Sequence, residues 1–592
     1  MTALVALAGA WARGTLGTMQ DALAHRATSW EQRTLGGITA AGGTNSSPLP
    51  PPVLLPFEGG EGFVVVDAPA WLLRQLPSPR ASTLTTIDSV VSWLGHLKGD
   101  AHAVVVLPGH RLVAYRGPAS ARPLFYSTGP EGRLAVATRP DALTSAVPAT
   151  VDLVGLAAYL IPQMCDPHGS PWQGVHRLPP GHTLIRDNGE ITVTPAEPLA
   201  ARDVAGADQD QLVGLFRDAL FTAVERCSGT SDALLLSGGI DSSSLAGVYA
   251  ATGLGPVRAY GLTYTAPLTA CDERAYARDV AALTGLTFEE LPANDLLPLS
   301  APYPMGHEPE AWSYAGRNWA MLNHITQRPV PPTTVLAGEG GDELLLGQVF
   351  AIADRIAHGD AEGGWREADT LPDPARGRAV LTHLLTGDYD TPRARLQRAL
   401  GEVPSWFTQA WMDEAAVLPR LTSSYPQLGE PGSMTTAYSR GLFAEAGAAG
   451  RAQCGGWWED TGRRAGVAIT YPFLDPDLAA LTWSLPPVMF RDGGLEKAVL
   501  RQALDGYLPE SVARRPDKAE ALTILNAGLL TNQAQLRALA KDSPLIDLGV
   551  LDPHRFETGL DRYLSGDHRH APALWALHAV HEWLLAHERH LP

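Results

Sequence analysis

The chain has 592 residues, 45% of them hydrophobic and 18% charged, which is too long for a single core and too apolar for wholesale disorder. Its net charge of −18 excludes a general nucleic-acid binder or a polybasic membrane anchor, both of which need a basic footprint. Cys165, Cys227, Cys271 and Cys454 are far apart and form no CxxC pair, which excludes a disulfide scaffold or a zinc ribbon and fits a reducing cytoplasm.

The N-terminal run MTALVALAGAWARG is apolar but has no basic residue before it, and no later stretch reaches 18 uninterrupted apolar residues, so neither a signal peptide nor a spanning helix is expected. Up to Leu199, short β-like runs alternate with turn clusters at Gly62–Val66, Ala103–Leu107, Arg111–Tyr115, Leu134–Ala137 and His182–Ile185, which predicts a sheet-rich first half. The Pro-dense stretch Ser47–Val53 reads as a loop, because PLPPP fits neither a ladder nor a helix interior. Between Ala200 and Ala207 the composition turns small and polar. Asp208 or Asp210 then caps a predicted helix with Leu212, Val213, Phe216, Leu220 and Val224 on one face, and a domain boundary is expected here, giving units 1–205 and 206–592. Beyond it, Ala233–Leu236, Arg258–Thr263 and Leu286–Leu291 alternate with the helical patterns SGGIDSSSLAGVYAA and DERAYARDVAALTG, which predicts a parallel sheet covered by helices. From Phe350 onward the pattern is mostly helical, with loops expected at Gly363–Gly364 and Ser424–Ser433, and no internal repeat is visible.

Two motifs carry chemistry. Leu234-Leu235-Leu236-Ser237-Gly238-Gly239-Ile240-Asp241-Ser242-Ser243 is a buried-strand run entering a Ser/Gly turn that opens a helix. Such a turn aims backbone N–H groups and a helix N-terminus at one spot, which suits pyrophosphate. Asp241 would repel phosphate directly, so a Mg²⁺ between the two is the natural arrangement. No Gly-Lys-Ser/Thr occurs, so this is not a Walker A loop. The second turn, Thr333-Thr334-Val335-Leu336-Ala337-Gly338-Glu339-Gly340-Gly341-Asp342-Glu343-Leu344, also follows a strand-like run, so Asp342 could meet Asp241 across one metal ion. Weaker candidates are His307-Glu308 with Trp312 and Tyr314 as pocket lining, or as an ordinary loop. His578, His581, His587 and His590 are read as a packed or solvated face, and Trp457-Trp458 as core.

SGGIDS, then GEGGDE, YPFLD (Tyr471–Asp475), LEKAVLRQALDGYLP (Leu495–Pro509) and RRPDK (Arg514–Lys518) together resemble the asparagine synthetase family. In the first half, AYRGPASARPLFY (Ala114–Tyr126), LAVATRPDAL (Leu134–Leu143) and GVHRLPPGH (Gly174–His182) are similar to that family's glutaminase segments. The resemblance implies an α/β protein with an N-terminal class II glutamine amidotransferase-like (Ntn-type αββα) domain and a C-terminal ATP-pyrophosphatase (PP-loop) domain. It also implies ATP and Mg²⁺, and activation of a carboxylate as an acyl-adenylate for attack by an amine. Residue by residue, it implies that Leu235, Ser237, Gly238, Gly239, Ser242, Gly338 and Gly340 shape the nucleotide and pyrophosphate site. Leu262 would lie by the adenine, Asp241 and Asp342 would ligate Mg²⁺, and Lys497 would contact the α-phosphate region. Lys518 would stabilise developing charge, and Glu339 would sense the nucleophile or take its proton.

The departures from the family pattern are informative. Position 2 is Thr where the family's glutaminases carry the catalytic Cys, Arg116 precedes Gly117 rather than Asp, and Ile469-Thr470-Tyr471 replaces the usual Glu-x-Arg. An adenylating site without an ammonia source must take its amine from the substrate, which within the family resembles lasso peptide cyclases and β-lactam synthetases. Retention of Glu339, the length of the chain and the helical segment Phe350–Met434 favour the cyclase. Its implied partners are a core peptide, a leader peptidase and a leader-binding (RRE-type) protein, with no nucleic acid and no membrane span. An ammonia-using asparagine synthetase, a β-lactam former and a non-catalytic ATP-binding scaffold remain as alternatives.

Overall fold

The protein is described by a computed structural model covering residues 2–44, 52–255, 257–310, 312–446, 458–516, 519 and 521–592. The expected loop Ser47–Val53 therefore lies largely outside the described residues. Twelve strands build two antiparallel sheets. They are β1 (Thr2–Ala8), β2 (Ser29–Leu35), β3 (Ile38–Thr44), β4 (Val53–Pro56), β5 (Phe63–Asp67), β6 (His102–Leu107), β7 (Arg111–Arg116), β8 (Leu124–Gly129), β9 (Arg133–Ala137), β10 (Val175–Leu178), β11 (His182–Asp187) and β12 (Glu190–Pro195). Their order is β10-β8-β9-β1-β3-β2 in one sheet and β12-β11-β7-β6-β5-β4 in the other.

The inner faces meet through Leu4, Ala6, Ile38 and Ala40 against Phe63, Val65, Val104 and Val106. Helices Thr15–Ala22 and Pro140–Ala146 cover the outside of the first sheet, and Ala70–Gln75 and Ile87–Leu94 the outside of the second. This is a four-layer αββα sandwich. Because both faces of each sheet are covered, β5 and β6 read as continuous apolar runs rather than alternating ones, and every residue of both is buried.

The second half opens with helix Gln209–Cys227, whose N-cap is Asp208. The Asp208 carboxylate accepts from Gln211 N at 2.9 Å, and Gln211 Oε1 accepts from Asp208 N at 2.9 Å, a reciprocal capping box. Its buried stripe is Leu212, Phe216, Leu220, Ala223 and Val224. Five parallel strands follow: β13 (Asp232–Leu235), β14 (Arg258–Thr263), β15 (Thr287–Pro292), β16 (Thr334–Leu336) and β17 (Ala468–Thr470), in the order β15-β14-β13-β16-β17. Strand order reverses between β13 and β16, so the loops leaving these two neighbours open onto one crevice.

From Gln348 on, the described chain is mainly helical. The expected loop at Gly363–Gly364 is instead the interior of helix Ala361–Ala368, capped by Asp360 on Gly363 N at 2.9 Å. The glycines serve contact rather than a turn: a Cβ on Gly364 would run into Ile356 of the neighbouring helix Gln348–Ala357. The segment 425–433 is non-helical, as expected. The outer layer of the first sheet and the C-terminal helices share one apolar core, in which Val5, Ala135, Leu160 and Trp172 pack with Trp406, Leu529, Leu574 and Trp583. No described helix is long and apolar enough to cross a membrane.

Candidate active site

The first loop grows out of β13. Leu236 N still bonds Tyr260 O of β14 at 2.8 Å, and the chain then turns through Ser237, Gly238 and Gly239 into helix Ile240–Thr252. Four bonds fix the turn: Ser237 N donates to Ser242 Oγ at 3.2 Å, Gly239 N to Ser237 Oγ at 3.2 Å, Ser242 Oγ to Gly239 O at 3.2 Å, and the Ser237 and Ser242 hydroxyls lie 3.0 Å apart. Gly238 is at φ 93, where a side chain is strained, and a Cβ there would lie 2.7 Å from Glu273 O. No side chain caps the helix, so its first-turn amides and the positive end of its dipole face the crevice.

The second loop leaves β16 as Gly338-Glu339-Gly340 and enters the short helix Gly341–Leu345. Gly340 N donates to Glu343 Oε2 at 3.1 Å, which closes the turn from inside. The two loops touch: a Cβ on Gly341 would lie 2.5 Å from Asp241 Oδ1, and one on Gly338 3.1 Å from Ser242 N.

Between the loops lies Lys497. Its Nζ donates to both Asp241 carboxylate oxygens at 2.6 Å and to Asp342 Oδ1 at 2.6 Å, and its side chain is 4% exposed. Burial alone would lower this ammonium, but the two carboxylates more than offset it and hold it above the ordinary lysine range. Lys497 also has φ 59, a left-handed backbone in a residue with a Cβ. That conformation costs about 1 kcal/mol, and here it aims the side chain into the crevice.

Burial pushes the Glu339 carboxyl up to about 7, and burial together with the Asp342 carboxylate does the same to Glu343. A carboxyl that binds its proton more tightly folded than unfolded stabilises fully below its unfolded value of about 4.5 and loses that contribution as pH rises through about 7. Glu343→Gln is therefore expected to remove a contribution that falls with rising pH, so the difference in melting temperature between wild type and variant should change between about pH 5 and about pH 8; parallel melting curves for the two proteins would refute the assignment.

A cavity of about 400 Å³ opens over the loops. Leu235, Ser237, Gly239, Asp241, Ser242, Leu262, Gly338, Glu339 and Asp342 line it, so most of the residues named from the sequence meet at one place. Gly238 and Gly340 shape the loops from behind, against Glu273 and Leu474 respectively, and Lys497 lies beneath the carboxylates. Lys518 lies outside the described residues, as does Trp457, and the side chain of Trp458 is likewise not described.

The far wall includes Tyr260, Tyr264, Trp312, Arg317, Asn318 and Met321. Of these only Trp312 was singled out from the sequence. Arg317 reaches the cavity from helix Ala315–Thr326, whose one-dimensional pattern carries no mark of a site. Tyr314 is buried beside Trp312, whereas His307 and Glu308 turn toward the sandwich. His587 packs on Trp172 and Trp583, and among the described residues no His, Cys, Asp or Glu group forms a metal-binding cluster.

Two carboxylates on facing loops are hard oxygen donors of the kind Mg²⁺ takes when phosphate oxygens and water complete its shell, so Asp241 and Asp342 fit such an ion only together with a phosphate ligand. The Gly-lined turn of residues 237–239 and the uncapped helix fit the phosphates, and Leu235, Leu262 and Tyr260 offer an apolar face for a base.

Compared with known proteins, residues 215–585 match the sequence model of the family described as Asparagine synthase, and residues 94–196 that of the Glutamine amidotransferase domain. No curated protein matches the chain. Among solved structures, glutamine phosphoribosylpyrophosphate (PRPP) amidotransferase from B. subtilis, complexed with ADP and GMP, is similar at 12% identity with a TM-score of 0.23, over 61% of this chain and 79% of that one.

Proposed function

We propose, from the premise that this chain belongs to the asparagine synthase family, whose members are ATP-dependent amide-forming ligases, that it is a lasso peptide cyclase. It would activate an Asp or Glu side chain of a core peptide and close a macrolactam with the peptide's N-terminal amine, releasing AMP and pyrophosphate. The observation that carries the reading is a pairing. The synthetase loops keep their full set of acidic, basic and glycine residues, while the twelve strands of the amidotransferase-type sandwich contain no cysteine to hydrolyse glutamine. On this reading the amine arrives with the substrate.

In this mechanism the turn Ser237–Gly239 and the amides of helix Ile240–Thr252 hold the departing pyrophosphate. Mg²⁺ held by Asp241 and Asp342 would neutralise phosphate charge. The peptide carboxylate attacks the α-phosphorus, and Lys497, fixed beneath both aspartates, keeps the loops in register as the charge moves. Lys518 is assigned to the same developing charge. Glu339, with its carboxyl near 7, is poised to take the proton lost by the attacking amine as AMP leaves. Holding both ends of one peptide in a single cavity supplies the proximity that an intermolecular reaction lacks. A leader peptidase and a leader-binding protein would deliver the trimmed peptide.

The test is to incubate peptides encoded by short reading frames beside the gene with the protein, the partner protease and Mg·ATP, and to record intact masses. Loss of one water with release of AMP, abolished in Asp241→Ala, is expected. Unchanged peptide mass with AMP formed from aspartate and ammonia would instead make the protein an asparagine synthetase.

A further inference from the structure

The sandwich meets the synthetase half at several places, and one of them is the segment of residues 299–310. Tyr159 OH donates to Glu308 Oε1 at 2.5 Å, and Arg177, which is 1% exposed, sends Nη2 to the same oxygen. Trp172 Nε1 donates to His307 O at 2.7 Å, and its ring lies 5.7 Å from that of His307. Leu299, Tyr303 and Met305 pack into the core that the sandwich shares with the C-terminal helices. A few residues further on, the same chain becomes the cavity wall: Trp312 packs with Tyr264, Leu268, Tyr314 and Ile524. Arg317 then lies 4.3 Å over the Tyr314 ring and donates to Tyr264 OH at 3.2 Å.

We infer that the sandwich acts as a clamp on the acceptor wall of the cavity: Tyr159, Trp172 and Arg177 are positioning residues that hold the segment carrying Trp312 and Arg317, and they set affinity for the amine- and carboxylate-bearing acceptor rather than for nucleotide. The physical reason is the cost of letting go. Arg177 is buried with Phe125 4.9 Å beneath its guanidinium and Glu308 as its ion-pair partner, so releasing Glu308 would leave a buried charge poorly compensated. One position of the segment is therefore strongly preferred. The acceptor assignment rests on the proposed function; the clamp itself does not.

The experiment compares wild type, Arg177→Met and the milder Tyr159→Phe. Arg177→Met is expected to raise the acceptor KM roughly tenfold or more, since small misplacements of a binding wall are amplified in this way, while the KM for ATP stays within about twofold. Tyr159→Phe is expected to move the acceptor KM in the same direction by a smaller factor. A merely structural role would lower kcat in proportion to folded protein and leave both KM values unchanged, and that result overturns the inference. Hydrogen exchange on the same proteins should quicken at 301–310 and 312–317 while β13 and β16 keep their protection; unchanged exchange at the segment overturns the clamp. If no peptide is turned over by wild type, the cyclase reading fails, and the acceptor KM is read with aspartate and ammonia while the exchange measurement stands.

Discussion

Lys497→Met is expected to lower carboxylate-dependent ATP–pyrophosphate exchange by roughly 100- to 1000-fold. The ammonium is the shared partner of Asp241 and Asp342 and lies beneath both at 2.6 Å. Without it, two carboxylates face each other across a narrow gap, and like charge drives one of them to take up a proton. A protonated aspartate is a poor ligand for a divalent ion, so the loss should appear both in exchange rate and in the concentration of Mg²⁺ needed. Arginine should not rescue, because its planar fork cannot replace a compact ammonium among three oxygens. Exchange within about threefold of wild type would reduce Lys497 to a structural counter-ion.

Gly238→Ala is the second change expected to be severe. The new Cβ would meet Glu273 O at 2.7 Å and Ala277 N at 3.1 Å, at a backbone φ of 93. The conformational penalty alone is about 1–2 kcal/mol, and the clash pushes the turn off helix Arg274–Thr284. Stability should fall by about 2–4 kcal/mol in chemical denaturation, with nucleotide affinity lost in calorimetry. Gly239→Ala makes the informative contrast. Its φ is −70 and its nearest neighbour would be Ser237 Oγ at 3.4 Å, so the fold should hold while the added methyl intrudes where phosphate approaches. Equal stability losses in the two variants would show that the turn is not fixed as described.

The parallel sheet and its two loops were legible because strand, glycine turn and helix follow one another within a dozen residues, and local order suffices to place Asp241 and Asp342 at the ends of neighbouring strands. Asp208, one of the two cap candidates, and the strands β5, β6, β7, β9 and β11 were legible from local apolar runs and turn residues. The bridge from Lys497 was not: the family resemblance marks this lysine as a site residue at the α-phosphate region, but its bonds join residues 256 and 155 positions apart and no local pattern ties it to the two aspartates. The strand β3, ITAAGGT, carries no one-dimensional signal, because its small residues have weak strand preference and are buried only by what packs over them. The role of His307-Glu308 is not legible in one dimension, since its partners Tyr159, Trp172 and Arg177 lie more than a hundred residues earlier. Paired glycines at 363 and 364 imitate a turn in one dimension and a helix contact in three.

The core common to the first sheet and the C-terminal helices has an evolutionary corollary. Once Trp172, Leu160 and Val5 pack in one body with Trp583, Leu574 and Leu529, losing the sandwich would expose a large apolar face on what remained. Whatever chemistry the sandwich performs, packing alone gives the molecule a reason to keep it, because the synthetase half is finished by side chains that the sandwich supplies.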